Sequence, residues 1–324
     1  MKKILAGLGR IIILFLLVSA VLLTPWSYSI SFPGACFSLK GKVRTPFAAQ
    51  NRPGELFITT VYYERANLLL FCLAQLNPPY ELLPLSREEK QELGHYDSFM
   101  RADMRQSQFF AKLAALKYLG YKVTMTPVGV KILEVLPVSR AKGKLRPGDI
   151  ILEAQGKRVD SLPELIARLQ KAPLDRELEL TLKREKNLTL KVPLSTIRGR
   201  KVLGIYGETI YQLGKMPFKI TIDSLGISGS SAGLMYALEI IRQAGKTPLT
   251  HQKVAGTGTI SPSGRVGEIL GVEYKIKTAQ KAGVRIFLLP TENYRELGRK
   301  NLGLRLLPVD NLSQAVKALK MVDK

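Results

Sequence analysis

The stretch Gly229-Ser-Ser-Ala-Gly233 places Ser231 at the centre of a G-x-S-x-G pattern. That spacing suits a sharp turn that exposes an attacking hydroxyl. A serine attacks only when a base takes its proton, so the question is which residue does so. The chain holds two histidines, His95 and His251. Only His251 follows Ser231, with Glu239 the one carboxylate between them, which formally satisfies the order Ser, acid, His. A helix starting at the serine, however, carries Glu239 about 12 Å along its axis. His251 comes after one short loop, so no triad is expected. Position 234 is Leu, which removes an S-x-x-K arrangement. G-x-x-x-x-G-K-[ST] and H-E-x-x-H are both absent, so neither ATP nor a metal is expected, and no cofactor is required.

The remaining base is a lysine. An ordinary lysine of pKa ~10.4 is neutral about once in a thousand at pH 7.4, which costs about 4 kcal/mol. A basic lysine must therefore be desolvated or set near other positive charge. Most lysines here lie in polar runs. Lys275 differs: in GEILGVEYKIKTAQKAG it stands one turn into a helix, after the apolar run Ile269-Leu-Gly-Val272. Ile276, Ala279 and Ala282 then form an inward face, although helical spacing alone does not separate Lys275 from Lys277.

The elements around these residues read as alternating strands and helices. A helix is expected from about Ala232 to Gln243, ended by Gly245, and another through Tyr274 to Lys281, ended by Gly283. Strands are expected in GELFITTVYY from Gly54, in a Gly-Tyr-Lys-Val segment from Gly120, around KVLGIYGETIY and FKITID, and in VRIFLLP. Phe109, Phe110, Leu113, Leu116 and Leu119 recur at helical spacing between Asp103 and Leu119, and DNLSQAVKAL closes the chain as a helix. The class is α+β, with no internal repeat or low-complexity tract.

Between Gly129 and Gln170 the order is strand, turn, strand, turn, helix, with Leu145-Arg-Pro-Gly-Asp149 a tight turn before the strand Ile150-Ile-Leu152. ELELTLKREKNLTLKV adds two alternating strands. The pattern LRPGDIIL…G resembles a PDZ domain. Such domains add an extended peptide to a sheet edge, and backbone amides receive its terminal carboxylate. Val128, Gly129, Val130 and Lys131 occupy the place of that carboxylate loop. The alternative is a packing module with a blocked groove.

Residues 220 to 290 resemble the proteolytic domain of Lon proteases, a Ser-Lys dyad family. GSSAG matches the serine motif, usually G-P-S-A-G, with the nucleophile on Ser231. VAGTGTISPSGRVGEILGVEYKIKTAQKAGVRIFLLPTEN matches the lysine segment, in which a glycine pair precedes L-K-E-K. The resemblance places the dyad base on Lys275 and a lysine-orienting threonine on Thr257. Ser230 replaces the proline, Leu270 the first glycine of the pair and Glu273 the first lysine, while Ser228 stands where many relatives carry aspartate. GELFITT and MRQSQFFAKLAA resemble the first strand and helix of the same domain, which implies a PDZ unit inserted into the protease fold. Gly229 and Ser230 are expected to support the nucleophile or to bind an oxyanion.

The N-terminus sets the compartment. Lys2 and Lys3 precede an apolar run from Ile11 to Leu23 that only Ser19 interrupts. Counted from Ile4 the run spans about 30 Å as a helix, enough for a hydrocarbon core. Arg10 snorkels, Trp26 and Tyr28 suit the far interface, and the basic flank keeps the N-terminus cytoplasmic. The alternative is a cleavable signal peptide ending at Val18-Ser19-Ala20. Either reading exports the rest of the chain. The formal charge of +23 over 324 residues then reads as a solvated basic surface near anionic lipid rather than a nucleic-acid site. Cys36 and Cys72 form neither a C-x-x-C pair nor a zinc site and read as passive thiols, one exported disulfide being the alternative.

Taken together, the anchor, the PDZ pattern and the dyad segments resemble the membrane-anchored, PDZ-containing Lon-like proteases of the YlbL/SepM type. The expected organisation is a cytoplasmic N-terminus and transmembrane anchor over 1–28 and a first protease segment over 29–120. A PDZ domain over 121–198 and the catalytic domain over 199–324 complete it. The resemblance implies an ATP-independent serine endopeptidase at the cell membrane, single-pass, with its catalytic domain outside. Its partners are peptide or protein substrates, selected with help from the PDZ domain, with no nucleic acid and an oligomer allowed. The alternatives are a catalytically inactive PDZ scaffold and a basic peptide- or envelope-binding protein.

Overall fold

The computed structural model describes residues 12–13, 15–16, 18–47, 52–76, 81–84, 87–173, 177–197, 199–298 and 302–323. They cluster into two compact units. The first draws on Met1–Gly94, Met104–Leu119 and Ile220–Lys324, the second on His95–Asp103 and Gly120–Lys219.

The first unit is built on strands β1 (Pro25–Ser38), β2 (Glu55–Asn67) and β3 (Glu81–Pro84). The helix α1 (Leu68–Leu76) accompanies them, as does α2 (Arg87–Tyr118) apart from its residues 95–103, which cluster with the second unit. The second unit holds β4 (Met125–Val135), β5 (Ile150–Ala154), α3 (Leu162–Lys171), β6 (Leu178–Lys183), β7 (Asn187–Val192) and β8 (Ile205–Leu213). The chain then returns to the first unit through α4 (Gly233–Ala244), β9 (Lys253–Gly256) and α5 (Val272–Lys281). It ends with β10 (Ile286–Pro290), α6 (Thr291–Leu297), β11 (Arg305–Val309) and α7 (Leu312–Val322).

The sheet of the first unit runs β11-β10-β9-β2-β1-β3. Its β11, β10, β9 and β2 are parallel neighbours, and β1 pairs antiparallel with β2 and β3. Strand β10 is buried at all five positions, as the unbroken apolar run IFLLP requires of an inner parallel strand. Ile276 and Ala279 of α5 pack with Ala255, Phe287 and Leu289, as the inward face read from the sequence requires, whereas Ala282, assigned to the same face, is the exposed C-cap. Gly256 on β9 leaves room for α4, since an added Cβ would lie 2.6 Å from Met235 Sδ.

Several expectations are corrected. Residues 25–28, assigned to the anchor, open β1, and Tyr28 packs on Phe71 with ring centroids 5.5 Å apart. Pro25 pairs with Asn67 of β2 and Tyr28 with Pro84 of β3, so these residues enter a sheet rather than a helical span. The described residues between 12 and 23 are helical, and no helix among the described residues is long and apolar enough to cross a membrane. The expected span before Ile12 lies wholly outside the described residues. Helix α2 begins at Arg87 rather than near Asp103. Its first turns are rich in Arg, Glu, Lys and Gln, good helix formers that show no apolar period. The strand expected from Gly120 starts instead at Met125, after a turn in which Gly120 takes φ 88°. Cys36 and Cys72 are both free.

The second unit is an antiparallel sheet in the order β8-β4-β5-β6-β7, with α3 set against it. Ser161 caps α3 by accepting the Glu164 N–H, and Leu165 and Leu169 enter a core with Val130, Ile132, Ile151, Leu180 and Leu182. Buried Asp149 closes the LRPGD turn: it accepts the Arg146 N–H at 2.9 Å and pairs with Arg184 at 2.7 Å. Residues 205–213, assigned by sequence to the catalytic domain, belong here because β8 pairs with β4 along its length.

Candidate active site

Ser231 sits in the turn that leads into α4. Gly229 makes the bend at φ 91°, a conformation open to glycine. Two backbone bonds stitch this turn to the segment after β9: Gly258 N–H donates to Ser231 O at 2.8 Å, and Leu234 N–H donates to Gly258 O at 3.0 Å. The end of a parallel strand and the start of a helix thus meet at Ser231, a common place for chemistry in sheets of this kind.

Lys275 reaches the same point from α5. Gly271, in the left-handed conformation at φ 69°, starts that helix, and the Lys275 N–H bonds its carbonyl. The side chain is 5% exposed, and Nζ stands 2.6 Å from Ser231 Oγ and 3.1 Å from Thr257 Oγ1. Burial lowers the Lys275 amine from its ordinary 10.5 to about 7, because the ammonium form loses its hydration.

Hydrogen-bond accounting assigns the roles. Thr257 donates its one proton to Ser231 O at 3.1 Å. Its oxygen can then only accept from Lys275 Nζ. With an N–H of the neutral amine spent on Thr257, the nitrogen lone pair is free to take the proton of Ser231 Oγ.

The rival acid and base sit elsewhere. Glu239 is buried and bonded bidentately to Arg242, and also accepts from Gln243 at 2.8 Å. His251 is exposed and bonds Asp323 at 3.1 Å. No group of His, Cys, Asp or Glu among the described residues has the arrangement of a metal site.

Two contributors escaped the sequence reading. Ser107 on α2 donates to Ser230 O at 2.8 Å. Buried Asn293 grips the backbone ahead of α5: it accepts the Ile269 N–H at 2.9 Å and donates to Ile269 O at 3.0 Å. Both lie in stretches quoted for family resemblance, but nothing in their local pattern distinguishes them from surface polar residues.

The expected carboxylate loop has a different fate. Val128, Gly129, Val130 and Lys131 lie on β4, whose two edges are both used. On one side Val130 pairs with Ile151 and Lys131 with Ile150 of β5. On the other, Gly129, Val130 and Lys131 pair with Ile210, Thr209 and Glu208 of β8. The Gly129 N–H donates to Asp160 O at 3.1 Å, so it does not await a carboxylate. Thr209 Oγ1 accepts the Leu162 N–H at 2.9 Å, tying β8 to the start of α3. The position where a peptide strand would be added between β4 and α3 is filled by the chain itself.

Comparison with known proteins agrees with this architecture. Residues 188–320 match the Lon protease (S16) C-terminal proteolytic domain, and residues 117–194 match the PDZ domain. The Lon protease of Buchnera aphidicola is 37% identical over 93 residues, covering 28% of this chain and 12% of that protein. Lon protease 2 of Bacillus subtilis is 33% identical over 90 residues, covering 28% of this chain and 16% of that protein. The chain therefore spans a small part of the length of the curated relatives it matches. Among solved structures, the PDZ domain of the SdrC-like protein of Listeria innocua is 26% identical and covers 24% of this chain and 92% of that chain, at a TM-score of 0.23.

Proposed function

We propose that the chain carrying this Lon-type proteolytic domain is a serine endopeptidase in which Ser231 attacks and Lys275 is the general base. The observation that supports it best is the buried Lys275 amine, 2.6 Å from Ser231 Oγ and held by Thr257. Neutral Lys275 accepts the Ser231 proton as the Oγ–carbon bond forms. Backbone N–H groups at the start of α4 receive the developing oxyanion. Lys275 then protonates the leaving amine, and an acyl-enzyme remains. Water, activated by the same amine, releases it.

The finer reading is an ATP-independent enzyme of the membrane-anchored YlbL/SepM type, with its catalytic unit outside the cytoplasm. Lys2, Lys3 and the apolar run that follows support that placement. The PDZ unit lies in the chain between two segments that cluster as one unit, in keeping with an insertion. Substrates are then peptides, loose tails or small membrane-proximal proteins, since nothing in the sequence supplies an unfolding motor.

The test is cleavage of extracytoplasmic peptides by the purified wild type, Ser231→Ala and Lys275→Ala proteins. Activity is expected to drop by about 10⁴-fold or more in both variants, as when members of a catalytic unit are removed. Equal cleavage by all three would sink the dyad.

A further inference from the structure

The two peptide planes that flank the nucleophile are held from one side. The carbonyl of Ser230 accepts from Ser107 Oγ at 2.8 Å and from the Gly233 N–H at 3.2 Å. The carbonyl of Ser231 accepts from Thr257 Oγ1 at 3.1 Å and from the Gly258 N–H at 2.8 Å. No cis peptide occurs among the described residues, so in each plane the N–H points opposite to the C=O. Tying both carbonyls therefore turns the N–H groups of Ser231 and Ala232 toward the other side. Among the described residues neither has a hydrogen-bond acceptor, and the N-cap of α4, Ala232, supplies no side-chain cap. The Ala232 N–H stands at the N-cap of α4 and the Ser231 N–H one residue ahead of it, where the helix dipole adds to their pull on an anion.

Ser107 reaches this plane from α2. It is 3% exposed, and no charge or water-facing role accounts for its hydroxyl. It can approach the backbone because position 233 is glycine: a Cβ there would lie 2.7 Å from Ser107 Oγ.

We propose that Ser107 is a positioning residue of the oxyanion hole, whose hydroxyl locks the Ser230–Ser231 peptide so that the Ser231 and Ala232 N–H groups face the tetrahedral intermediate. The proposal rests on the serine-peptidase reading and specifies its oxyanion donors. As the Ser231 Oγ–carbon bond forms, the proton passes to Lys275 Nζ and the carbonyl π pair becomes the oxyanion that these two N–H groups receive. Without Ser107 the Ser230 carbonyl keeps one donor of two, and the peptide is free to tilt. The oxyanion then meets a misaimed donor, whereas the ground-state substrate loses little.

The experiment uses the full chain, a fluorogenic peptide chosen from a random library for Ser231-dependent cleavage, and the boronic acid of that peptide as a tetrahedral mimic. Ser107→Ala is expected to lower kcat about 10–100-fold, somewhat less than deletion of an oxyanion donor. It should weaken the boronate by a similar factor. KM, the melting temperature and the pH at which the rate is half-maximal stay near wild type. Unchanged kcat and boronate affinity in a folded Ser107→Ala protein overturn the proposal. A variant in which KM, pH midpoint and melting temperature shift along with kcat overturns it too, by showing a general structural role. A wild type with no Ser231-dependent turnover overturns the peptidase reading itself, and the proposal with it.

Discussion

At the scale of single residues, Lys275 sets how the proposed reaction responds to pH. Its amine is lowered to about 7 by burial, and the base acts only when neutral. Below that value the neutral fraction falls tenfold per pH unit. The kcat/KM for peptide cleavage is therefore expected to rise about tenfold per unit up to near pH 7 and to level off above it. A rate that falls between pH 6 and 8 would exclude Lys275 as the base. The same shift has a cost for folding. Between about 7 and 10.5 the unfolded chain binds more protons at this residue than the folded chain does, so stability from this site declines as pH falls through that window. Thr257 shows why a neutral partner suits the amine: a carboxylate there would raise its pKa again.

At the scale of elements, three pieces bring the residues together: the start of α4, the end of β9 and the first turn of α5. Helix α4 is anchored at its other end by Glu239, Arg242 and Gln243, whose bonds reach the backbone of Val43 and Arg52. The acid that looked available to a triad is committed to this anchor. In the PDZ unit, β8 is the decisive element. It pairs along β4 from Leu213, opposite Met125, to Ile205, opposite Val135, and so forms the edge strand that covers β4. Peptide addition at this edge requires β8 to leave. Peptides with a free C-terminal carboxylate are accordingly expected to show no saturable binding below about 1 mM by fluorescence polarisation. The β4 and β8 amides should stay protected in hydrogen exchange when such peptides are added. Micromolar binding with loss of β8 protection would show that the groove opens.

At the scale of the whole molecule, the proposed ATP-independent reading makes its own predictions. Addition of ATP and Mg²⁺ is expected to leave peptide cleavage within twofold of its starting rate. A chemically unfolded protein should be cut while its folded form resists. Stimulation by ATP, or equal digestion of both forms, would overturn that reading. The charge of +23 is a property of the whole chain and predicts nothing about the proposed dyad. It bears on what the surface attracts.

The local order of residues determined much of this protein. Alternation, turn residues and helix stops were enough to outline β2, the strands and helix of the PDZ unit, α4, α5, β10 and α7. Two histidines were too few for the usual serine chemistry, which left a lysine, and motif resemblance chose Lys275 over Lys277. Other features depended on contacts distant in sequence. Proximity of Ser231, Thr257 and Lys275 arises because β9 ends beside the start of α4 while α5 packs across the sheet. No one-dimensional pattern records that meeting. The pKa of Lys275 follows from burial, which a helix reveals only once its neighbours are in place. Ser107 and Asn293 act through backbone atoms more than 20 residues away, and their own neighbours in the chain give no hint of it. The closure of the PDZ edge was invisible for the same reason. A strand's partner is chosen by hydrogen bonding and side-chain fit across space, so IYGETIYQL announced a strand but not the groove that it fills.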